Sequence, residues 1–401
     1  MNYSVITFGC RVNQADSLAI EVELQARGAT CVSSDHADIV IVNTCSVTAS
    51  ADQGARQTIR RVARENPNAR IVATGCYATR CPDEVAALPG VVSVVPNQAK
   101  SSMTFVASLM RRDDFTQSDQ EGPCGRRLAP GLMGRTSWTL RVQTGCEESC
   151  SYCIIPTTRG ASRSRMAHEI RAEVDRVVDA GYREIVVTGV HLGSYGRDLM
   201  PRSSLIELLR DLVQSPALVR ISSLEPMDFP LEALELRCAP HFHLPLQHAS
   251  NRVLRAMKRP YTIEYFSDLV DAVRRRLPHA AIGSDVIAGF PGESDEDFEE
   301  LAHYLEQSPL THLHVFPYSD RPGTVASTLP GRVHGSVTKQ RAQRLREISR
   351  LLADRFRDSQ RGTRRPALTI EDGSTAVTDN YFRVPVPPGH VRNEWVDVMI
   401  P

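Results

Sequence analysis

Gln143-Thr144-Gly145-Cys146-Glu147-Glu148-Ser149-Cys150-Ser151-Tyr152-Cys153 places three cysteines at C-x3-C-x2-C spacing, directly after a strand-like run at 139–143. Three thiolates can hold three irons of a 4Fe–4S cluster and leave the fourth iron without a protein ligand. That open iron can chelate the amino and carboxylate groups of a methionine-type ligand. Structural zinc is the competing reading, but it normally takes four ligands in two closely spaced pairs. No second pair lies nearby, and the x3-then-x2 order is unusual for zinc. The position also counts, because barrel-like α/β folds keep active sites at the carboxyl ends of their strands.

Outward from this motif, strand-like runs at 139–143, 184–188, 219–223, 242–246, 282–287 and 312–316 alternate with helical stretches. Six such units predict an α/β domain at 136–360 built as an incomplete (β/α)6 barrel, with a last helix from about 336 to 360. Upstream, residues 1–111 alternate strands at 3–8, 38–43, 70–74 and 91–95 with helices at 13–27 and 48–65, the pattern of a small parallel α/β domain. Residues 112–135 are polar, contain Gly122-Pro123 and Pro130-Gly131, and read as a linker. Residues 361–401 are short strands with Gly and Pro and read as a small β module.

The bulk properties fit this plan. At 401 residues the chain is expected to form two or three domains, and 41% hydrophobic against 23% charged residues fits a protein with real cores. No apolar run approaches the length of a membrane span, and the opening residues lack a basic segment followed by an apolar one. A cytoplasmic location is therefore expected, where grouped cysteines are metal ligands or catalysts more often than disulfides. With 47 Lys+Arg against 47 Asp+Glu, any argument for nucleic acid has to be local.

A second cysteine set lies upstream. Cys10, Cys45 and Cys76 follow Thr7-Phe8-Gly9, Val42-Asn43-Thr44 and Ala73-Thr74-Gly75, so each ends an expected parallel strand. Such ends share one edge of a sheet, where open α/β folds bind ligands. The trio is thus a candidate for a second cluster with one unligated iron. The alternative is three buried cysteines packed as small hydrophobes. Cys31, Cys81, Cys124 and Cys238 show no such placement and read as non-ligands.

With two trios followed by a small β tail, the chain resembles the methylthiotransferases of the radical S-adenosylmethionine (SAM) superfamily over nearly its whole length. The resemblance is carried by Gly9-Cys10-Arg11-Val12-Asn13-Gln14, Thr74-Gly75-Cys76-Tyr77-Ala78, Cys153-Ile154-Ile155-Pro156, Arg159-Gly160, Ser164-Arg165 and His314-Val315-Phe316-Pro317-Tyr318-Ser319. Of the bacterial branches, which act on isopentenyladenosine in tRNA, on a ribosomal-protein aspartate, or on threonylcarbamoyladenosine in tRNA, the wording at 10–14, 188–193 and 314–319 is most similar to the third.

The resemblance implies two 4Fe–4S clusters, one on Cys146, Cys150 and Cys153 that cleaves SAM and one on Cys10, Cys45 and Cys76. It implies a C-terminal TRAM-like β-barrel, a tRNA anticodon stem-loop as partner, and an electron donor protein of flavodoxin or ferredoxin type. SAM contacts are expected at the strand ends, from Tyr152, Thr188, Gly189, Ser222, Ser223, Glu225, Gly289 and Gly292. Arg159, Arg163 and Arg165 are candidates to pair a substrate carboxylate. Residues 339–365 hold ten Lys/Arg against Glu347, Asp354 and Asp358, a basic stretch suited to phosphate.

Overall fold

The computed structural model describes residues 1–100 and 128–401. Most of the expected linker, with Cys124, lies outside the described residues. The chain divides into two compact units, one of Met1–Leu128, Thr144–Glu147 and Cys153–Ala161, the other of Ala129–Gln143, Glu148–Tyr152 and Ser162–Pro401.

The first unit is a five-stranded parallel sheet of β1 (Asn2–Thr7), β2 (Thr30–Cys31), β3 (Ile39–Thr44), β4 (Arg70–Gly75) and β5 (Val91–Val95), in the order β2-β1-β3-β4-β5. The central strand Ile39-Val40-Ile41-Val42 is apolar on both faces because both are covered. Ile39 and Ile41 pack with Ile20 and Leu24 of α1 (Arg11–Ala26), whereas Val40 and Val42 pack with Ala55, Ile59 and Val62 of α2 (Ala49–Glu65). Thr48 starts α2 by accepting the amide of Ala51 at 3.2 Å. This strand order reverses direction between β1 and β3, and such a switch point opens a crevice at the carboxyl edge. Cys10 and Cys45 follow those two strands.

Two glycines make the edge possible. Gly9 and Gly75 sit at φ +86° and +99°. A Cβ on Gly9 would lie 2.6 Å from Cys45 Sγ, and one on Gly75 would lie 2.1 Å from the Thr44 carbonyl oxygen. Gly75, with ψ −172°, occupies a region open essentially to glycine alone. Gly75→Ala is therefore expected to cost about 3 kcal/mol, combining backbone strain with the clash. Urea unfolding of the variant checks this, and an unchanged midpoint would count against the geometry.

In the second unit, β6 (Trp138–Arg141), β7 (Glu184–Thr188), β8 (Leu218–Ile221), β9 (His241–His243), β10 (Ala281–Ala288) and β11 (His312–Pro317) form two three-stranded parallel sheets. A parallel bridge from Ser223 to His243 links them, giving six strands in chain order. Helices α5 (Ala167–Asp179), α6 (Leu205–Leu212), α7 (Ile263–Arg276), α8 (Asp295–Gln307) and α9 (Gly335–Gln360) cover the outside, α4 (Ile155–Arg159) and α3 (Cys76–Arg80) belonging to the first unit. The expected strand–helix alternation has one departure. Between β8 and β9 only short 3-10 turns form, because Pro226 and Pro230 withhold amide donors. The strand expected at 242–246 stops at His243 for the same reason, with Pro245 two residues on.

Strands β12 (Arg364–Ile370), β13 (Thr375–Thr378), β14 (Arg383–Pro385) and β15 (Trp395–Met399) make an antiparallel sheet in the order β14-β13-β12-β15. The structure does not set residues 361–401 apart as a unit of their own. The reason is physical. Arg220 on β8, only 1% exposed, pairs with Glu184 at 2.7 Å and donates to the carbonyl oxygen of Asp379 at 3.0 Å. His241 stacks on Tyr381 at 4.3 Å, and Asn380 donates to the carbonyl oxygen of His279 at 2.9 Å. Among the described residues, no helix is long and apolar enough to cross a membrane.

Candidate active site

In the first unit the upstream trio comes together. Cys10 caps α1, Cys45 follows β3, and Cys76 opens α3 at the end of β4. Burial, followed by the neighbouring charges of Cys10 and Cys76, pushes the Cys45 thiol up to about 11, its one offsetting influence being the Val47 amide bonded to its sulfur at 3.5 Å. Two of the cysteines begin helices, Cys10 at α1 and Cys76 at α3. Asn97 Nδ2 donates to Cys76 Sγ at 3.6 Å and to the carbonyl oxygen of Thr158 at 2.9 Å, tying α4 to this edge.

Beneath the trio lies a buried charge network that the sequence reading did not anticipate. Asp16 accepts from Arg159 at 3.0 Å and from Lys100 at 3.1 Å, all three side chains no more than 3% exposed. Arg159 also bonds Asn13 Oδ1, and Lys100 donates to Asn43 Oδ1 at 2.7 Å. Burial works against the charge on Arg159, but Asp16 and the thiolates of Cys76 and Cys10 outweigh it and raise its pKa. Lys100 is held below its usual range by burial. Three thiolates on a 4Fe–4S core carry net negative charge, and buried charge has to be balanced nearby. Two buried cations against one carboxylate fit that requirement, so these residues suit a cluster.

The downstream trio lies within eight residues of one loop. Cys153 Sγ accepts the amide of Ile155 at 3.5 Å, repeating the arrangement of Cys45 and Val47. Cys150 Sγ accepts from Arg259 at 3.3 Å. Donors aimed at sulfur are the usual means of tuning such clusters, so this loop also fits one. Arg259, 7% exposed, is in turn paired with Glu225.

The strand-end residues expected to touch SAM fall in the second unit. Ser222 donates to Thr188 Oγ1 at 3.1 Å, on adjacent strands. Gly189 follows β7, and Ser223 bridges to β9. Tyr152 packs on Ile287, Phe290, Val253 and Met257. Glu293 clamps the turn after β10, accepting the amides of Gly289 at 2.6 Å and Phe290 at 3.0 Å, while Arg341 holds Glu293 at 2.8 Å. Gly292 completes that turn. Glu225 is positioned by Arg259, a partner the sequence reading missed.

The candidate substrate arginines are not presented together. Arg159 is committed to Asp16 and Asn13 inside the first unit rather than displayed to a ligand. Arg165 pairs with Glu173 at 2.7 Å and donates to the carbonyl oxygen of Arg141, and Arg163 is exposed. Nor is the basic helix uniformly open. Arg341 is buried on Glu293, Arg344 pairs with Glu299, and Arg357 and Arg361 pair with Asp354 and Asp358. Lys339 and Arg346 are exposed and, with Arg332, line a 360 Å³ cavity beside Gly289 and Tyr318.

Comparison with known proteins agrees with the family resemblance and the α/β fold. Residues 2–96 match the model described as Uncharacterized protein family UPF0004, and residues 140–305 match the Radical SAM superfamily. The chain is 37% identical over 87% of its length, and 80% of the relative's, to Threonylcarbamoyladenosine tRNA methylthiotransferase MtaB of Bacillus subtilis. It is 36% identical to the protein of that name from Aquifex aeolicus, over 96% of both chains. Among solved structures it is similar to the radical SAM methyltransferase TsrM of Kitasatospora setae, with TM-score 0.56, 14% identity, 81% of this chain and 76% of that one covered. At that identity the likeness speaks for the fold alone. The chain is an enzyme whose cofactors are SAM and 4Fe–4S iron–sulfur clusters. It belongs to the radical SAM methylthiotransferase family that the MtaB proteins represent.

Proposed function

We propose that this enzyme adds a methylthio group to C2 of N6-threonylcarbamoyladenosine beside the anticodon of tRNA. The observation that carries the reading is the second cysteine trio, gathered at the switch point of the first unit over a buried Arg159–Asp16–Lys100 network. Cys146, Cys150 and Cys153 would hold a 4Fe–4S cluster able to supply the electron for reductive cleavage of SAM, and Cys10, Cys45 and Cys76 would hold one able to carry sulfur for the base.

The protein's own groups position the reactants. Ser222, Ser223, Thr188 and Gly189 face the ribose and methionine ends of SAM, Glu225 its amine, and Tyr152 and the Gly289–Gly292 turn its adenine. The apolar cluster of Ile287, Phe290, Phe316 and Tyr152 keeps water from the reacting carbons. Arg163 is the remaining accessible arginine of the three. RNA phosphates are met by Arg332, Lys339 and Arg346, with the tail acting as a TRAM-like module. The base has to leave its stack to reach both centres. A flavodoxin- or ferredoxin-type protein supplies electrons, and the reaction takes place in the cytoplasm.

An isopentenyl substrate would bring no charge for these polar groups to pair. Matched anticodon stem-loops carrying either modification test the reading. The threonylcarbamoyl form is expected to be methylthiolated at least a hundredfold faster, a factor ordinary for sites built around a polar group. Preference for the isopentenyl form, or activity only on a ribosomal protein, would move the enzyme to another branch.

A further inference from the structure

The guanidinium of Arg259 is placed with more care than a pairing with Glu225 alone requires. The short helix Asn251–Ala256 ends where Lys258 takes φ +56°, and the amide of Arg259 bonds back to the carbonyl oxygen of Leu254 at 2.9 Å, closing a left-handed cap. The cysteine loop is fastened to the same helix end. Ser151 donates its amide to the carbonyl oxygen of Met257 at 3.0 Å and its hydroxyl to that of Ala256 at 2.8 Å. Its own carbonyl oxygen accepts the amide of Ala326 at 2.7 Å. These bonds hold the residue next to Cys150 whether or not the arginine is present.

The Arg259 side chain is 3% exposed, and each of its nitrogens has a partner. Nη1 donates to Cys150 Sγ and to Glu225 Oε1, both at 3.3 Å, while Nη2 donates to Glu225 Oε2. Nε donates to the Tyr261 hydroxyl at 3.1 Å, which in turn donates to the carbonyl oxygen of Pro245 at 2.7 Å. Carboxylate, guanidinium and sulfur thus stand in a row, with the cation against the sulfur. The Ile155 amide that meets Cys153 Sγ carries no formal charge, whereas Arg259 does. The potential of an iron–sulfur centre follows its net charge and the bonds to its sulfurs. Reduction adds one negative charge, which a guanidinium stabilises and a carboxylate opposes, and burial strengthens both effects.

We propose that Arg259 is a positioning residue acting through Cys150: it raises the reduction potential of the cluster on Cys146, Cys150 and Cys153, and Glu225 holds that rise in check. This rests on the assignment of a cluster to that loop. The pair acts as a fixed trim on how readily the centre accepts its electron. An exposed cation would serve poorly, since water and salt screen it. Arginine suits the place because its planar fork meets the sulfur and the carboxylate together, which an ammonium on a flexible stem does not.

The test is a redox titration of the reconstituted enzyme followed by electron paramagnetic resonance, at about pH 8, where an unpaired carboxylate stays ionised. The signal of this centre is the one lost when Cys146, Cys150 and Cys153 are replaced together by alanine. Arg259→Gln is expected to make its reduction about tenfold less favourable, a shift of ~59 mV to the negative for a one-electron couple. Glu225→Gln is expected to shift it by a similar factor in the opposite direction, and Arg259→Lys to fall between wild type and Arg259→Gln. The double variant, which leaves no orphaned charge, should return most of the way to wild type. Glu225→Gln and Arg259→Lys keep the test decisive if Arg259→Gln does not hold iron. Opposite signs from two neighbours are what charge produces and what loosening of the loop does not. Equal potentials throughout, or shifts of one sign, overturn the tuning role and leave the cluster in the loop. A signal that survives loss of the three cysteines overturns the cluster assignment itself.

Discussion

Replacing Cys10, Cys45 and Cys76 together by alanine is expected to abolish methylthio insertion while SAM is still cleaved to 5′-deoxyadenosine. In the function proposed above the radical arises at the loop of Cys146, Cys150 and Cys153, whose donors, the Ile155 amide and Arg259, owe nothing to the other trio. Iron in the reconstituted protein should fall from about eight atoms to about four, since each trio suits one four-iron cluster. The reciprocal replacement should also retain about four irons, and it should end SAM cleavage altogether. Product from the first variant would make the upstream cysteines structural. Full iron in the second would remove the cluster from the loop.

Arg159→Leu is expected to destabilise the first unit by about 3–5 kcal/mol, the usual cost of leaving one half of a buried ion pair behind. Asp16 keeps Lys100 at 3.1 Å, but burial lowers the pKa of that lysine, making it a weaker counter-charge than a guanidinium. Arg159 also meets Asn13 and lies within the field of Cys76 and Cys10, so its loss leaves several groups uncompensated together. Adding Asp16→Asn should recover part of the stability, because it removes the orphaned charge. Urea unfolding and retention of iron at the upstream trio measure the effect. A loss below about 1 kcal/mol, as an exposed ion pair would give, contradicts the burial. An arginine serving only the substrate would change activity and leave unfolding untouched.

Much of this was legible in the sequence, and the reasons are local. The run Ile39-Val40-Ile41-Val42 announces a strand covered on both sides, and the Gly-Cys pairs at 9–10 and 75–76 announce strand ends where the backbone turns sharply. The C-x3-C-x2-C loop is itself local. What escaped were partners distant in the chain. Nothing near Arg159 points to Asp16, 143 residues earlier, and so it read as a displayed arginine. The stretch at 339–365 read as a basic surface, because two carboxylates that pair with it, Glu293 and Glu299, lie on segments that meet it only after folding. Arg259 carries no signature either. Cys150 lies 109 residues before it, and only folding brings the helix end and the cysteine loop together.

The loop at 378–382 docks where β7, β8 and β9 begin, with Arg220 and His241 beneath it. It works as a cover over the foot of those strands, keeping the Arg220–Glu184 pair from water. The last forty residues thus complete the cover of the strands they dock on. A chain cut back to the barrel would expose the Arg220–Glu184 pair to water. Designs that swap this tail between relatives therefore have to carry the loop and the strands it covers as one piece.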